Sequence, residues 1–221
     1  MRNAMNSVAN CAYRTGARGL FLIILFSLTG CALPKSPVRA TVYDFGPGSL
    51  SSPASQAAPR APLGPLVIGE IEANPALDST AILYRLAYAD AQQLRPYAQA
   101  RWSMTPAQLL RQRLRAYLGQ SRALLNPGDS TLNIATTHTL RIELEEFSQL
   151  FEAPNQSVGL LRLRATLAQP SPSGEKWVAQ HSVIVKRPAT STDAAGGVRA
   201  LTAAADAAVQ EIEQWLQPLA P

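Results

Sequence analysis

Thr139-Leu140-Arg141-Ile142-Glu143-Leu144-Glu145-Glu146-Phe147 is the stretch that decides the fold. Leu140, Ile142 and Leu144 point to one side, and Arg141, Glu143 and Glu145 to the other. That is the period of an extended strand with one dry face and one wet face. Pro154-Asn155 turns the chain, after which Leu161, Leu163, Ala165 and Leu167 alternate against Arg162, Arg164 and Thr166. Pro170-Ser171-Pro172-Ser173-Gly174 reads as a loop, and Trp177 to Val185 as a last strand. Three such strands in succession predict an antiparallel meander with one charged face. Arg162 and Arg164 then lie beside Glu143 and Glu145 as cross-strand pairs.

A helix is expected on each side of this meander. Downstream, Asp193 or Thr192 caps a helix from about Ala194 to Gln217, with an apolar stripe of Val198, Leu201, Ala205, Ala208, Ile212, Trp215 and Leu216, ended by Pro218. Upstream, Thr105-Pro106-Ala107-Gln108 is a helix start: Thr105 caps, Pro106 fits the first helical position and Gln108 completes a capping box. That helix runs to Leu118 and stops at Gly119, with Leu110, Leu114, Tyr117 and Leu118 on one side and Arg111, Gln112 and Arg115 towards water. Asn126-Pro127-Gly128-Asp129 is a strong turn. Before the first helix, Leu66 to Glu72, Ile82 to Leu86 and the short Gln93 to Tyr97 read as strands, with Pro96 confining the third to an edge or a bulge. Thr41 to Phe45 alternates and adds an edge strand. The pattern predicts an α+β fold: a mostly antiparallel sheet with two helices packed on one face, a single domain over residues 66–218 behind a disordered N-terminal tether. No internal repeat is visible.

The N-terminal segment reads differently. Arg2, Arg14 and Arg18, with no acid before them, lead into the apolar run Leu20 to Leu28. As a helix this run rises roughly 14 Å, about half of a hydrocarbon core, which suits a signal-peptide h-region rather than a membrane span. It closes on Leu28-Thr29-Gly30-Cys31, which resembles a bacterial lipobox. Small residues before the cysteine fit a protease cleft, and only a cysteine offers the nucleophilic sulfur that acylation needs. Residues 1–30 are therefore expected to be a lipoprotein signal peptide and Cys31 the lipidation site, carrying S-diacylglycerol and N-acyl groups. An ordinary signal peptide that happens to contain a cysteine is the alternative. From Ala32 to Pro65 the chain is rich in Pro, Ser, Ala and Gly, too poor in apolar surface to offset its ordering entropy, and reads with Cys31 as a linker over 31–65.

Removal of residues 1–30 would leave 17 basic and 15 acidic residues, a net charge of +2 rather than the +5 of the whole chain. With no basic stripe interleaved with aromatics, nucleic acid is not expected as a partner. Cys11 would leave with the signal, so the remaining domain has no thiol chemistry of its own. His138 and His181, the two histidines, fall in separate strands with no cysteine to complete a metal site. Glu143, Glu145, Glu146 and Glu152 could suggest acid–base work, but Glu143 and Glu145 share a face of one strand, where cross-strand pairing with Arg explains them without chemistry. Arg111, Arg113, Arg115 and Arg122 invite a phosphate-binding reading, but Arg113 does not share a face with Arg111 and a solvated helix face accounts for them. No Gly-rich phosphate loop or Gly-x-Ser-x-Gly elbow is present. No enzyme and no cofactor are expected.

In the order of its elements the chain resembles the ABC-type transport auxiliary lipoproteins. Four pieces carry the resemblance: the lipobox at Cys31 followed by Tyr43-Asp44-Phe45; Val67-Ile68-Gly69-Glu70-Ile71 through Leu77-Asp78-Ser79-Thr80-Ala81-Ile82-Leu83-Tyr84-Arg85; Tyr97 to Trp102 running into the Pro106 helix; and Leu140 to Phe151. Ser79-Thr80 and Ala73-Asn74-Pro75 depart from the family's pattern. The resemblance implies an outer-membrane lipoprotein that works beside substrate-binding proteins of the mammalian-cell-entry type and an ABC permease and ATPase in lipid transport, with no catalytic residues to carry over. Two other readings stand beside it: a direct lipid-binding carrier, and an envelope-assembly lipoprotein that activates another enzyme. Partners expected are the membrane through the lipid anchor, the transport proteins, and a homo-oligomer. Tyr84, Tyr97, Trp102 and Trp177 are the aromatic candidates for partner contact, with burial in the core as the alternative for each. Because Ala32, not aspartate, follows Cys31, the sorting habit of bacterial lipoproteins implies the periplasmic face of the outer membrane.

Overall fold

The computed structural model describes residues 39–48, 63–127 and 137–219. The signal segment, Cys31, most of the linker and the Gly128-Asp129 half of the expected turn lie outside the described residues. Eight strands form one mixed sheet: β1 (Thr41–Tyr43), β2 (Leu63–Ala73), β3 (Ala81–Leu86), β4 (Ala91–Trp102), β5 (Arg122–Leu125), β6 (His138–Ala153), β7 (Gln156–Ser171) and β8 (Gly174–Pro188). Three helices accompany them: α1 (Ala87–Asp90), α2 (Pro106–Leu118) and α3 (Ala194–Leu216).

β6 is the spine. Along one edge it pairs with β7, which pairs in turn with β8, both antiparallel. Along its other edge two short strands sit in tandem: β2 beside Leu66↔His138 to Ala73↔Leu144, then β3 beside Tyr84↔Gln149 to Leu86↔Phe151, both parallel to β6. β5 extends the sheet from β2, and β4 followed by β1 extends it from β3.

Four of the seven strand pairings are parallel and three antiparallel, so the expected mostly antiparallel sheet is corrected to a mixed one. Residues 74–80 do not reverse the chain. A 3-10 turn at Pro75–Leu77, capped by the Asn74 side chain on Ala76 N, lets β3 continue in the direction of β2. Alternation tells which side chains face inward; it is blind to strand direction.

The meander forms as read. The alternation of β6 changes phase at Glu145, the extra residue of a bulge between Leu144↔Leu163 and Glu146↔Arg162. Leu140, Ile142 and Leu144 before it and Phe147 and Phe151 after it are buried in consequence. Across β7, Leu161, Leu163, Ala165 and Leu167 are all 0% exposed. α2 begins with the Thr105–Gln108 capping box and ends at Leu118 as expected, but Leu109 takes the buried place assigned to Tyr117, which is exposed. α3 is capped by Asp193, whose carboxylate accepts from Gly196 N at 2.7 Å. Both long helices pack on the dry face and share one core with the sheet.

Two glycines set how closely α3 approaches. A Cβ on Gly159 of β7 would stand 2.6 Å from the Ala200 carbonyl carbon, and one on Gly197 would stand 2.1 Å from Gln149 Oε1. The first turns of α3 therefore rest almost on the sheet backbone. β1 is an edge strand as expected, parallel to the end of β4. β5 and α1 have no counterpart in the sequence reading.

Candidate functional site

The four aromatic candidates separate cleanly. Trp102 ends β4 and is 1% exposed. It meets Phe45 edge-on at 5.6 Å and Phe147 at 5.8 Å, so it fastens the residues after β1 to the core and has no surface to offer a partner. Tyr84 and Tyr97 are half-buried on adjacent strands, their rings 4.7 Å apart, with Phe151 closing the cluster at 5.9 Å from Tyr84. The Tyr97 hydroxyl donates to Gln149 Oε1 at 2.8 Å, and Gln149 Nε2 donates to Ser157 Oγ at 2.8 Å. Burial, reinforced by Tyr84 and Asp193, pushes the Tyr97 phenol up to about 12. These two tyrosines tie β3, β4, β6 and β7 together. Trp177, on β8, is 70% exposed.

Arginines do the remaining fastening. Arg85 of β3 makes a two-pronged pair with Glu146, at 3.1 and 3.4 Å, and donates to the carbonyls of Ala91 and Gln92. Arg162 and Arg164 meet Glu145 at 2.8 and 2.9 Å, and Arg164 lies 4.0 Å from Glu143. The expected cross-strand pairs are therefore present, centred on the bulge residue. Arg113 leaves the α2 row of Arg111 and Arg115: it donates to the carbonyls of Phe45 and Gly46 and pairs with Asp206 of α3 at 3.3 Å. Burial raises the Asp206 carboxyl, and Arg113 opposes that rise.

Arg122, at the start of β5, has a fully buried side chain 3.7 Å from Glu213 Oε2, while Glu213 Oε1 accepts from Ser121 Oγ at 2.9 Å. Burial pulls the Arg122 guanidinium down and Glu213 holds it up. The sequence reading grouped Arg113 and Arg122 with a solvated helix face. Their offset from the Arg111–Arg115 row is the only sequence sign of their separate roles.

Two surface clefts flank the helices. One, about 520 Å³, lies between residues 42–46 and α3, where Tyr43 and Val198 share it with Arg199 and Asp206. The other, about 480 Å³, lies between β2 and α2, with Ile71 and Met104 beside Glu70, Arg111 and Arg115. Both volumes fall in the range of small-molecule sites, but charged side chains share each lining. Among the described residues no group of three or more His, Cys, Asp or Glu is placed to hold a metal ion. His181 of β8 instead contacts Glu211 at 2.9 Å and stacks on Trp215 at 5.6 Å.

A mixed sheet whose long meander carries two helices on one face and ion pairs on the opposite face defines a small α+β domain. The chain belongs to the ABC-type transport auxiliary lipoprotein component family, whose sequence profile matches residues 49–213. A crystal structure of a Xanthomonas campestris protein described under the family label DUF330 is similar in fold, with a TM-score of 0.60 at 20% identity over 80% of this chain and 94% of that one. A second crystal structure, of an uncharacterized protein, has a TM-score of 0.58 at 10% identity over 81% of this chain and 99% of that one. No curated protein matches the chain.

Proposed function

We propose that this protein is a non-catalytic, lipid-anchored periplasmic component of an ABC-type intermembrane lipid transport system, held at the outer membrane through Cys31 and acting by docking partner proteins. The observation that carries the reading is the match of the family profile to residues 49–213, which spans the folded domain rather than one motif. The partners in this reading are a substrate-binding protein of the mammalian-cell-entry type and its permease and ATPase. The lipid is a covalent anchor, not a cofactor.

The geometry supports docking over carriage. A carrier needs a dry cavity for acyl chains, whereas both clefts place arginines or carboxylates beside their apolar residues. The test is a pull-down of the full-length lipoprotein from membranes, with mass spectrometry of proteins and lipids. Recovery of the substrate-binding protein and permease without stoichiometric lipid is the expected result. Stoichiometric lipid on the isolated protein would replace this reading with that of a carrier. A cell-wall enzyme as the sole partner would replace it with that of an envelope-assembly activator.

A further inference from the structure

The fold sorts the four arginines at 111, 113, 115 and 122 into two kinds. Arg113 is drawn to Asp206 and to the carbonyls of Phe45 and Gly46, and Arg122 to Glu213. Each of these two faces a carboxylate of α3. Arg111 and Arg115 stay on α2, four residues apart and so stacked on one face of the helix. Both line the cleft of about 480 Å³ between β2 and α2.

The charge of that cleft is not balanced. Its one carboxylate is Glu70, whose Oε1 lies 3.1 Å from Arg111 Nη1. The Glu70 side chain is 81% exposed, so this pair is weak and easily exchanged. Among the described residues the Arg115 side chain forms no ion pair and no hydrogen bond. Both groups are also partly desolvated, because Arg111 Nε and Arg115 Nη1 are buried and meet no acceptor. The protein covers part of each guanidinium without satisfying it and leaves the side chain part-exposed along the cleft. A cation that has lost water on one side gains more from an anion on the other than it would on an open helix face. A freely solvated row of arginines would keep every nitrogen wet, and these two do not.

The lining narrows the ligand. Two guanidinium forks one helical turn apart, with about 5–6 Å between their Cβ atoms, can share a tetrahedral oxyanion, whose acceptor oxygens point in several directions. A carboxylate has only two oxygens in one plane, and Glu70 already supplies one to Arg111. The Gln112 amide adds neutral donors to the same lining. Ile71, Met104 and Ala107 form its apolar side, which gives an ester carbon next to the anion a surface to rest on.

We propose that the β2–α2 cleft is a phosphate site, in which Arg111 and Arg115 together hold one phosphate group, free or esterified, with any ester carbon against Ile71 and Met104. The same group is carried by soluble phosphate esters and by the head groups of membrane lipids. The site does not depend on which partners the protein docks.

The test titrates the full-length lipoprotein in dodecyl maltoside micelles with inorganic phosphate, at an ionic strength held constant with sodium chloride, and reads the heat by calorimetry. Saturable one-to-one binding is expected. Arg115→Gln should weaken it roughly tenfold or more, the loss of a charge-assisted contact. Glu70→Gln should act in the opposite direction and tighten it, because it frees Arg111 from its competitor within the chain. Arg101→Gln, at an exposed arginine of β4 that does not line the cleft, should change nothing. None of the three side chains is fully buried, so the unfolding temperatures should stay unchanged and separate loss of the site from loss of the fold. A second titration uses phosphatidylglycerol doped into the micelles. Binding tighter than that of inorganic phosphate, with the same response to Arg115→Gln, assigns the site to a lipid head group, and equal or weaker binding assigns it to a soluble phosphate. The proposal is overturned if neither probe binds saturably, or if Arg101→Gln weakens binding as much as Arg115→Gln does. An affinity that Glu70→Gln leaves unchanged or lowers would overturn it as well.

Discussion

The Tyr97 hydroxyl sits where an anion is poorly tolerated, between the Tyr84 ring and a fully buried amide, with the Asp193 carboxylate contributing to its shift. In the unfolded chain a tyrosine ionises near pH 10, whereas here it holds its proton to about 12. The folded-state value is the raised one, so the stability it represents is whole below pH 10 and is lost as pH climbs from 10 towards 12. Urea unfolding across pH 9 to 12 should show this loss, and Tyr97→Phe should flatten it. The same substitution leaves Gln149 Oε1 without its donor at 0% exposure, and should cost about 1–3 kcal/mol at neutral pH. Arg122 and Glu213 make the opposite case. Glu213→Gln removes the one charge facing a buried guanidinium, for which a cost of about 3–5 kcal/mol is expected. Replacing the pair together, as Arg122→Met with Glu213→Leu, should be close to neutral in the same urea titration, because no buried charge is then left behind.

At the scale of elements, α3 shows what a sheet requires of a helix that lies close upon it. Gly159→Ala would drive a methyl into the Ala200–Leu201 backbone, which cannot rotate aside as a side chain can. The expected loss is about 1–3 kcal/mol, read as a lowered unfolding temperature with unchanged helix content. Much of this layer was legible beforehand. The capping box of Thr105, the cap at Asp193, the turn at Pro154-Asn155 and the alternation of Leu161 to Leu167 are local signals, and each element formed where its signal lay. What escaped reading depends on non-local partners. β5 is four residues long, with only Leu125 both apolar and buried, and exists because β2 lies beside it. The direction of β3 is set by a seven-residue connection that carries the chain onward along β6 rather than reversing it. Trp102 reads equally well as an anchor for a partner or for a core, and Phe45, distant in sequence, decides the matter. Ile184, 63% exposed on β8, did leave a trace: Val183-Ile184-Val185 interrupts a strand that otherwise alternates, and the middle residue of such a run must face outward.

The whole molecule sets a folded domain of mixed sheet and paired charges at the end of a Pro- and Ser-rich stretch. No helix among the described residues is long and apolar enough to cross a membrane, so in the proposed reading attachment rests on Cys31, outside the described residues. The seven residues between Cys31 and Arg39, where the described fold begins, span at most ~25 Å even fully extended, so in the proposed reading the domain works close to its anchor. One acyl chain binds a bilayer only marginally, and each further buried methylene adds about 0.8 kcal/mol, so durable attachment requires several chains on the one cysteine. Two substitutions separate anchoring from sorting. Cys31→Ser removes the sulfur that acylation needs and should abolish incorporation of labelled palmitate into the full-length chain. Ala32→Asp leaves the sulfur in place, so the label should persist while the protein moves from the outer-membrane to the inner-membrane band of a density gradient. Label retained by Cys31→Ser would refute the anchor itself. Label retained by Ala32→Asp without a change of band would leave the anchor standing and refute the sorting role of residue 32, whereas wild-type protein in the inner-membrane band would refute the assignment of the outer membrane.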